Sequence, residues 1–481
     1  MVNANDPAAI PYVIQEGALW YVAYKEKNPY VPYITVSAKG VANGLSTEYN
    51  DGYDFGPDSY NPSVTSGVPL TQTSGIQEAM VYALANNISI QMSSGIFDLT
   101  NATIHSSSTG QNPYIIGITG SVENKMSILE IRGTNSAGTF TEALASSDMV
   151  SGTIIYCGAN TTALTDMIQI FSNGQSTYPI TLKLSDITLR THEGAYTNAL
   201  NCEYAASLYL QGIVNVDTDA TVFPPTPTNS YGIIFPLPAT SSYSSAEIII
   251  AQGYTTAVAI GPHAHINILL IDAIINAVSV GTSAVTSIGY ASSIEWIDIQ
   301  YCATVIVAYA NVALHIGGIT YGDGTSSQSG SYANSANNNN TALVHDVNGN
   351  LYGDLLFIPY PTTGFPAGPN QLQNVNALHF IVKSTTNLIT QTTVSGTTAG
   401  SFIASEPISE PTYKKVIIYL DGYENDTTTA QTYTYPVAFT TVAEITSNTA
   451  SVPVTSTSLT EFSTAPDTTT AYTGIIVIEG Y

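Results

Sequence analysis

Short β-rich runs return along the middle of the chain, and this return limits the fold more than any other feature. Examples are ILEIRG (128–133), LKLSDITL (182–189), SLYLQGIVNV (207–216), EIIIAQG (247–253), INILLIDAI (266–274), SIEWIDIQY (293–301) and ALHIGGITY (313–321). A second set lies between them: AVAIG (257–261), AVSVG (277–281) and TVIVA (304–308). Between 247 and 321 the two sets alternate, with returns of about 19 to 28 residues. One coil of a parallel β-solenoid has that length, and each coil adds a short strand to several sheets. A β-propeller blade needs about twice the length. Helical periodicity is nearly absent after residue 100, which excludes helical and leucine-rich solenoids.

One helix is expected before the repeats. Thr71 to Asn86 (TQTSGIQEAMVYALAN) places Ile76, Met80, Ala83 and Leu84 at helical spacing, with Thr73 or Ser74 as N-cap and Gln77 or Glu78 near the third position. A strand–turn–strand pattern, ISIQMSSGIFDL, follows at 88–99. Ile76, Gln77, Ala79 and Ala83, then Gly95, Phe97 and Leu99, resemble the opening of pectin-lyase-like right-handed parallel β-helices. The resemblance covers about 30 residues and implies that the helix caps the first coil. The C-terminal stretch carries KVIIYL (415–420), YTYPVAF (433–439), SVPVT (451–455) and GIIVIE (474–479). LDGYEND (420–426) and VIEGY (477–481) mirror each other as two neighbouring strands would. This layout resembles the terminal modules of virus tail spikes and tail fibres. The expected class is all-β: a right-handed parallel β-helix with a small C-terminal β-sandwich. The expected division is an attachment segment and linker over 1–70, the capped β-helix over 71–385, a linker over 386–411 and the sandwich over 412–481. Residues 325–342 (TSSQSGSYANSANNNNTA) read as a projecting polar loop.

Charge narrows the partners. The chain has 10 Lys+Arg against 35 Asp+Glu, a formal net charge of -25, and no Lys or Arg lies between Arg190 and Lys383. Nucleic acid and anionic membrane surfaces need basic side chains, so both are excluded as partners. With charged residues at only 9%, the fold depends little on ion pairs, and tolerance of acid is expected. Met1 to Gln15 has neither a basic nor an apolar signal region, and no apolar stretch reaches the roughly 18 residues of a membrane span. Cys157, Cys202 and Cys302 are odd in number and sit in apolar runs, the pattern of buried free thiols. No Cys/His metal spacing is present, and no cofactor is expected.

Catalytic and binding candidates lie on the central coils. Polygalacturonase-type motifs are missing, and a lyase base there could only be Tyr or His. The candidates for acid–base work are Asp272, Glu295 and Asp298. The Ile-Asp pairs at 271–272 and 297–298 align across a 26-residue return. Adjacent coils are about 4.8 Å apart, so the two carboxylates would stand near the retaining-glycosidase separation of about 5–5.5 Å. The same alignment puts Gly318 on the next coil, and stacked Asp or Gly also mark turns between sheets. His263 and His265, two apart, suit a strand face that could bind metal or a turn with solvated rings, and His315 suits a coil surface. Trp296, Tyr301, Tyr309 and Tyr321 could line a sugar-stacking face or pack inward, and the sequence does not fix their register.

Taken together, these features give the expectation of a virion surface protein resembling a tail spike or fibre. It would be trimeric, attach through its N-terminal segment to other virion proteins, and bind a host surface glycan or glycoprotein at the virion surface or outside the cell. A glycoside hydrolase of the same fold, or an extracellular adhesin or surface-layer-associated protein, is the alternative.

Overall fold

The computed structural model describes most of residues 6–322. Excepted are 7, 39–52, 107–110, 120–127, 135–151, 172–179, 193, 220–229, 238–242, 283–290 and 309–312. Beyond 322 it describes 344–346, 355–359, 372–373, 380–382, 401–405, 414–423, 431–434, 439, 443–449, 451–465 and 472–480. The described residues are all-β apart from one helix, with their strands mainly parallel, in the arrangement of a β-solenoid. The chain divides into two units, Met1–Ala259 and Ile260–Tyr481.

In the N-terminal unit each coil lays strands into three parallel sheets. The first contains Ile34–Val36, Ile90–Met92, Ile128–Arg132 and the first halves of Thr181–Thr191 and Ser207–Thr218. The second contains Gly95–Asp98, Thr153–Cys157 and the second halves of those two long strands. The third contains Tyr114–Thr119, Thr165–Phe171, Thr197–Asn201, Tyr231–Ile234 and Thr256–Ile260. One apolar column runs inside each sheet. Ile90, Ile131, Leu184, Leu210 and Ala246 stack in the first. Phe97, Ile155, Leu189, Val216 and Ala251 stack in the second. Ile116, Ile168, Leu200, Ile233 and Val258 stack in the third. All fifteen side chains are buried. Parallel strands covered on the core side by β-branched and leucine side chains bury continuous apolar surface from coil to coil.

The corner between the first two sheets is built from residues that accept a left-handed backbone. Asp186 has φ +50° and Gly212 φ +62°. The Asp186 carboxylate accepts the Ile213 N–H at 3.2 Å, and Glu247 Oε2 accepts the Gly212 N–H at 2.8 Å. These bonds satisfy donors that the strand ladder loses at the bend.

The helix spans Ile76–Asn86 and buries Ile76, Ala79, Met80, Ala83 and Leu84 against the end of the first coils. It starts later than the sequence pattern suggests. Its N-cap is Gly75, at φ +80° and tight against the Gly56 backbone, a position that a side chain would not enter. Thr71 and Thr73 cap it from outside: their hydroxyls accept the N–H groups of Gly75 and Gln77 and donate to Glu78 Oε2. Gln77 docks the helix on the third sheet, donating to Gly117 O and accepting its N–H. The solenoid reaches into the segment read as an attachment arm, because Ile34–Val36 pairs with Ile90–Met92 and is held by the buried Asp54 carboxylate through Thr35. Ahead of it lies an antiparallel hairpin, Ala9–Glu16 with Leu19–Glu26.

In the C-terminal unit, Ala264–Val280, Ala291–Ala308 and Ala313–Gly322 pair in parallel, followed by Leu355–Pro359 and Phe380–Val382. The chain then turns antiparallel. Ser401–Ser405, Lys414–Tyr423, Tyr472–Gly480 and Ala443–Asn448 form one sheet, and Gln431–Thr434, Glu461–Thr464 and Val454–Thr457 another. The mirrored LDGY and VIEG phrases lie in paired strands. Among the described residues no helix is long and apolar enough to cross a membrane. Cys157 and Cys202 are buried free thiols. The loop at 325–342 and Tyr309 fall outside the described residues.

Candidate functional site

The outward face of the first strands in the C-terminal unit gathers several of the expected residues. Along Ala291–Ala308, Ile294 and Ile297 point into the core, while Glu295 and Trp296 both turn out between them. Two successive outward residues mark a corner, and Asn267 with Ile268 repeats it one coil earlier. Trp296 is 38% exposed. It stands between Ile268 on one side and Gly318 on the other, so the residue paired with it on the following coil brings no side chain. Next to it runs a polar ladder, His265–Ser293–His315. His265 Nδ1 meets Ser293 Oγ at 2.6 Å, its Nε2 meets Asn267 Oδ1 at 2.8 Å, and Glu295 lies 3.8 Å away. Both ring nitrogens are therefore engaged. His263 sits in a left-handed turn at φ +58° just before the strand, so the two imidazoles do not share a strand face. Among the described residues no group of three or more His, Cys, Asp or Glu is placed to hold a metal.

The register corrects the stacked carboxylates. The return between these coils is 28 residues, set by His265 beside Ser293. Asp298 stands beside Leu270 and Thr320, and Asp272 beside Gln300. The two Asp residues are thus displaced by two positions along the strand instead of lying on one rung, and the separation argued for a retaining pair lapses. Glu295 is exposed and Asp298 half-buried. Gly318 falls opposite Trp296, not opposite Asp298. Tyr301 shares a strand with Trp296, and Tyr321 lies beside Ile299. The described aromatics therefore do not form one column.

Two polar clusters escaped sequence reasoning, both in the N-terminal unit. On the second sheet, Arg190 and Asp217 form a buried bidentate pair. Burial works against the guanidinium's charge, and the bonds and charge of Asp217 outweigh it, so Arg190 stays cationic. Two residues further, Asp219 Oδ2 receives the Tyr156 hydroxyl at 2.7 Å and meets His192 Nδ1 at 3.0 Å. Burial and Asp219 together push the Tyr156 phenol up. Arg190/Asp217 and His192/Asp219 repeat at 27 residues, a period visible as LRTH and VDTD. That signal could have found the cluster.

The second cluster surrounds Asp166 on the third sheet. Its buried carboxylate accepts amide hydrogens from Asn112, Asn198, Asn201 and Gln169, at 3.2, 2.7, 2.9 and 2.6 Å. The amide orientations are fixed, because Asn198 Oδ1 accepts Tyr231 N–H and Asn201 Oδ1 accepts Glu203 N–H. Among the described residues no cation balances the charge, and burial pushes the Asp166 carboxyl up to about 6 against the pull of those amides. With amide N–H groups facing it, the carboxylate is a structural knot and not a cation cradle.

No family model, curated protein or solved structure matches this chain.

Proposed function

We propose that this chain is a virion surface protein of tail-spike or fibre type that binds a host surface glycan. In this reading the body is a right-handed, pectin-lyase-like β-helix, the two antiparallel sheets near the C-terminus pack as a terminal sandwich, and the protein assembles as a trimer. The observation that carries the glycan reading is Trp296, exposed beside Gly318 and bordered by His265, Ser293 and Glu295. An open indole offers a sugar ring its apolar face, and the adjoining Ser293 hydroxyl and Glu295 carboxylate, beside a His265 ring already held at both nitrogens, can take the ring's hydroxyls. The loss of a stacked Asp272–Asp298 pair weighs against a retaining glycosidase.

A glycan array with parallel product analysis, together with light scattering, tests this. Binding without cleavage by a trimer, with at least one bound glycan lost in Trp296→Ala at unchanged melting temperature, is the expected result. Reducing-sugar release by a monomer that Asp298→Asn abolishes would overturn it in favour of the hydrolase.

A further inference from the structure

We infer a second carbohydrate site, in the N-terminal unit, where the cap helix, the loop after Phe55 and the edge of the third sheet enclose a cleft of about 870 Å³. Its walls include Tyr60, Gln72, Glu78, Val81, His105 and Tyr114. That volume is near the upper end of small-ligand sites, roughly 300–1,000 Å³, and admits more than one sugar ring.

The chemistry of the walls selects a neutral, hydroxyl-rich ligand. Among the described residues no Lys or Arg lines the cleft, so an anion meets no permanent positive charge there. Among the described lining residues Glu78 is the one carboxyl, and burial raises its pKa above the ordinary glutamate value. Thr71 and Thr73 both donate to Oε2, and among the described residues no side chain donates to Oε1. Gln72 spends its Oε1 on the N–H and hydroxyl of Thr103, so its amide Nε2 is the end left to donate. A purely apolar ligand would bury these groups without partners, which disfavours it.

The same walls offer a rigid ring surface. His105 and Tyr114 exchange both backbone hydrogen bonds, at 2.8 and 3.0 Å, and their rings lie 5.4 Å apart at 28°. Locked aromatic rings beside an amide donor and a carboxyl acceptor suit a short neutral oligosaccharide, with C–H faces on the rings and hydroxyls on Gln72 and Glu78. This site is independent of the Trp296 face, and the two can fail separately.

Calorimetric titration of the full chain with maltotriose, mannotriose and triacetylchitotriose tests the site. At least one is expected to bind with Kd below about 10 mM, weakened about tenfold or more by Tyr114→Ala. Val81 is 54% exposed, so Val81→Trp fills the cleft without entering the core and should block binding at unchanged melting temperature. Trp296→Ala should leave this binding intact. Failure of all three sugars to bind, or binding that survives Val81→Trp, would overturn the inference. Should Tyr114→Ala fail to fold, Val81→Trp decides alone.

Discussion

Arg190 and Asp217 face each other on adjacent coils, 27 residues apart in sequence, through Nε–Oδ1 at 2.8 Å and Nη2–Oδ2 at 2.6 Å. Both side chains are nearly sealed from solvent, at 6% and 2% exposure. Removing one partner strands the other's charge. Arg190→Met is expected to cost about 3–5 kcal/mol in denaturant unfolding, and Asp217→Leu added to it should recover part of the loss. An additive double mutant would show that the pair contributes nothing as a pair.

The buried carboxyls make acid favourable to this fold. Asp166 is raised to about 6 by burial, and burial also raises Glu78 and Glu203. A folded pKa above the unfolded one means that the native state binds the proton more tightly. The stabilisation is complete below the unfolded carboxylate pKa of about 4 and is lost as pH rises through the folded values, to about 6 for Asp166. For Asp166 alone the change is on the order of 3 kcal/mol. Melting temperature should therefore rise from pH 7 to about pH 4, and Asp166→Asn should remove about one proton from the linkage slope. A melting temperature falling steadily over that range contradicts the assignment.

Gly212 is predicted to take a side chain only at a cost in stability. Its φ is +62°, and a Cβ would lie 2.1 Å from the Asp186 carboxylate that accepts the Ile213 N–H. Gly194, at φ +71° with nothing within 4 Å, carries only the backbone strain. Gly194→Ala should cost about 1–2 kcal/mol, and Gly212→Ala clearly more, read from paired melting curves.

Cys157 and Cys202 should resist thiol reagents in the native protein. Both are buried, and burial pushes the Cys157 thiol up to about 11 and Cys202 higher still. Peptide mapping after labelling should find both modified only in denaturant. Native labelling at either would mean that its coil opens readily.

The sequence showed the parallel strands and the cap helix because both depend on local pattern: alternation inward and outward, and Ile76, Met80 and Ala83 at helical spacing. It did not show register. Returns of 26 and 28 residues keep the same faces inward, so alternation cannot choose between them. The corner chooses, by turning Glu295 and Trp296 out together between buried Ile294 and Ile297, and matching Asn267 and Ile268 below. Ser292 fixes the same choice, accepting Ala264 N–H and donating to Gly261 O. The Arg190–Asp217 pair was missed for another reason. Charge was counted over the whole chain, where one arginine is negligible, and not coil against coil, where it meets its partner.

A stack of similar coils faces a counting problem during folding, since a strand could dock one floor too high. In the N-terminal unit the connections solve it: Gln91 and Arg132 meet across 41 residues, Arg190 and Asp217 across 27, Leu208 and Ser244 across 36. A strand that skips a floor meets a loop of the wrong length. The uneven returns thus work as teeth on a key, so that a fold made of repeats has only one order in which to assemble.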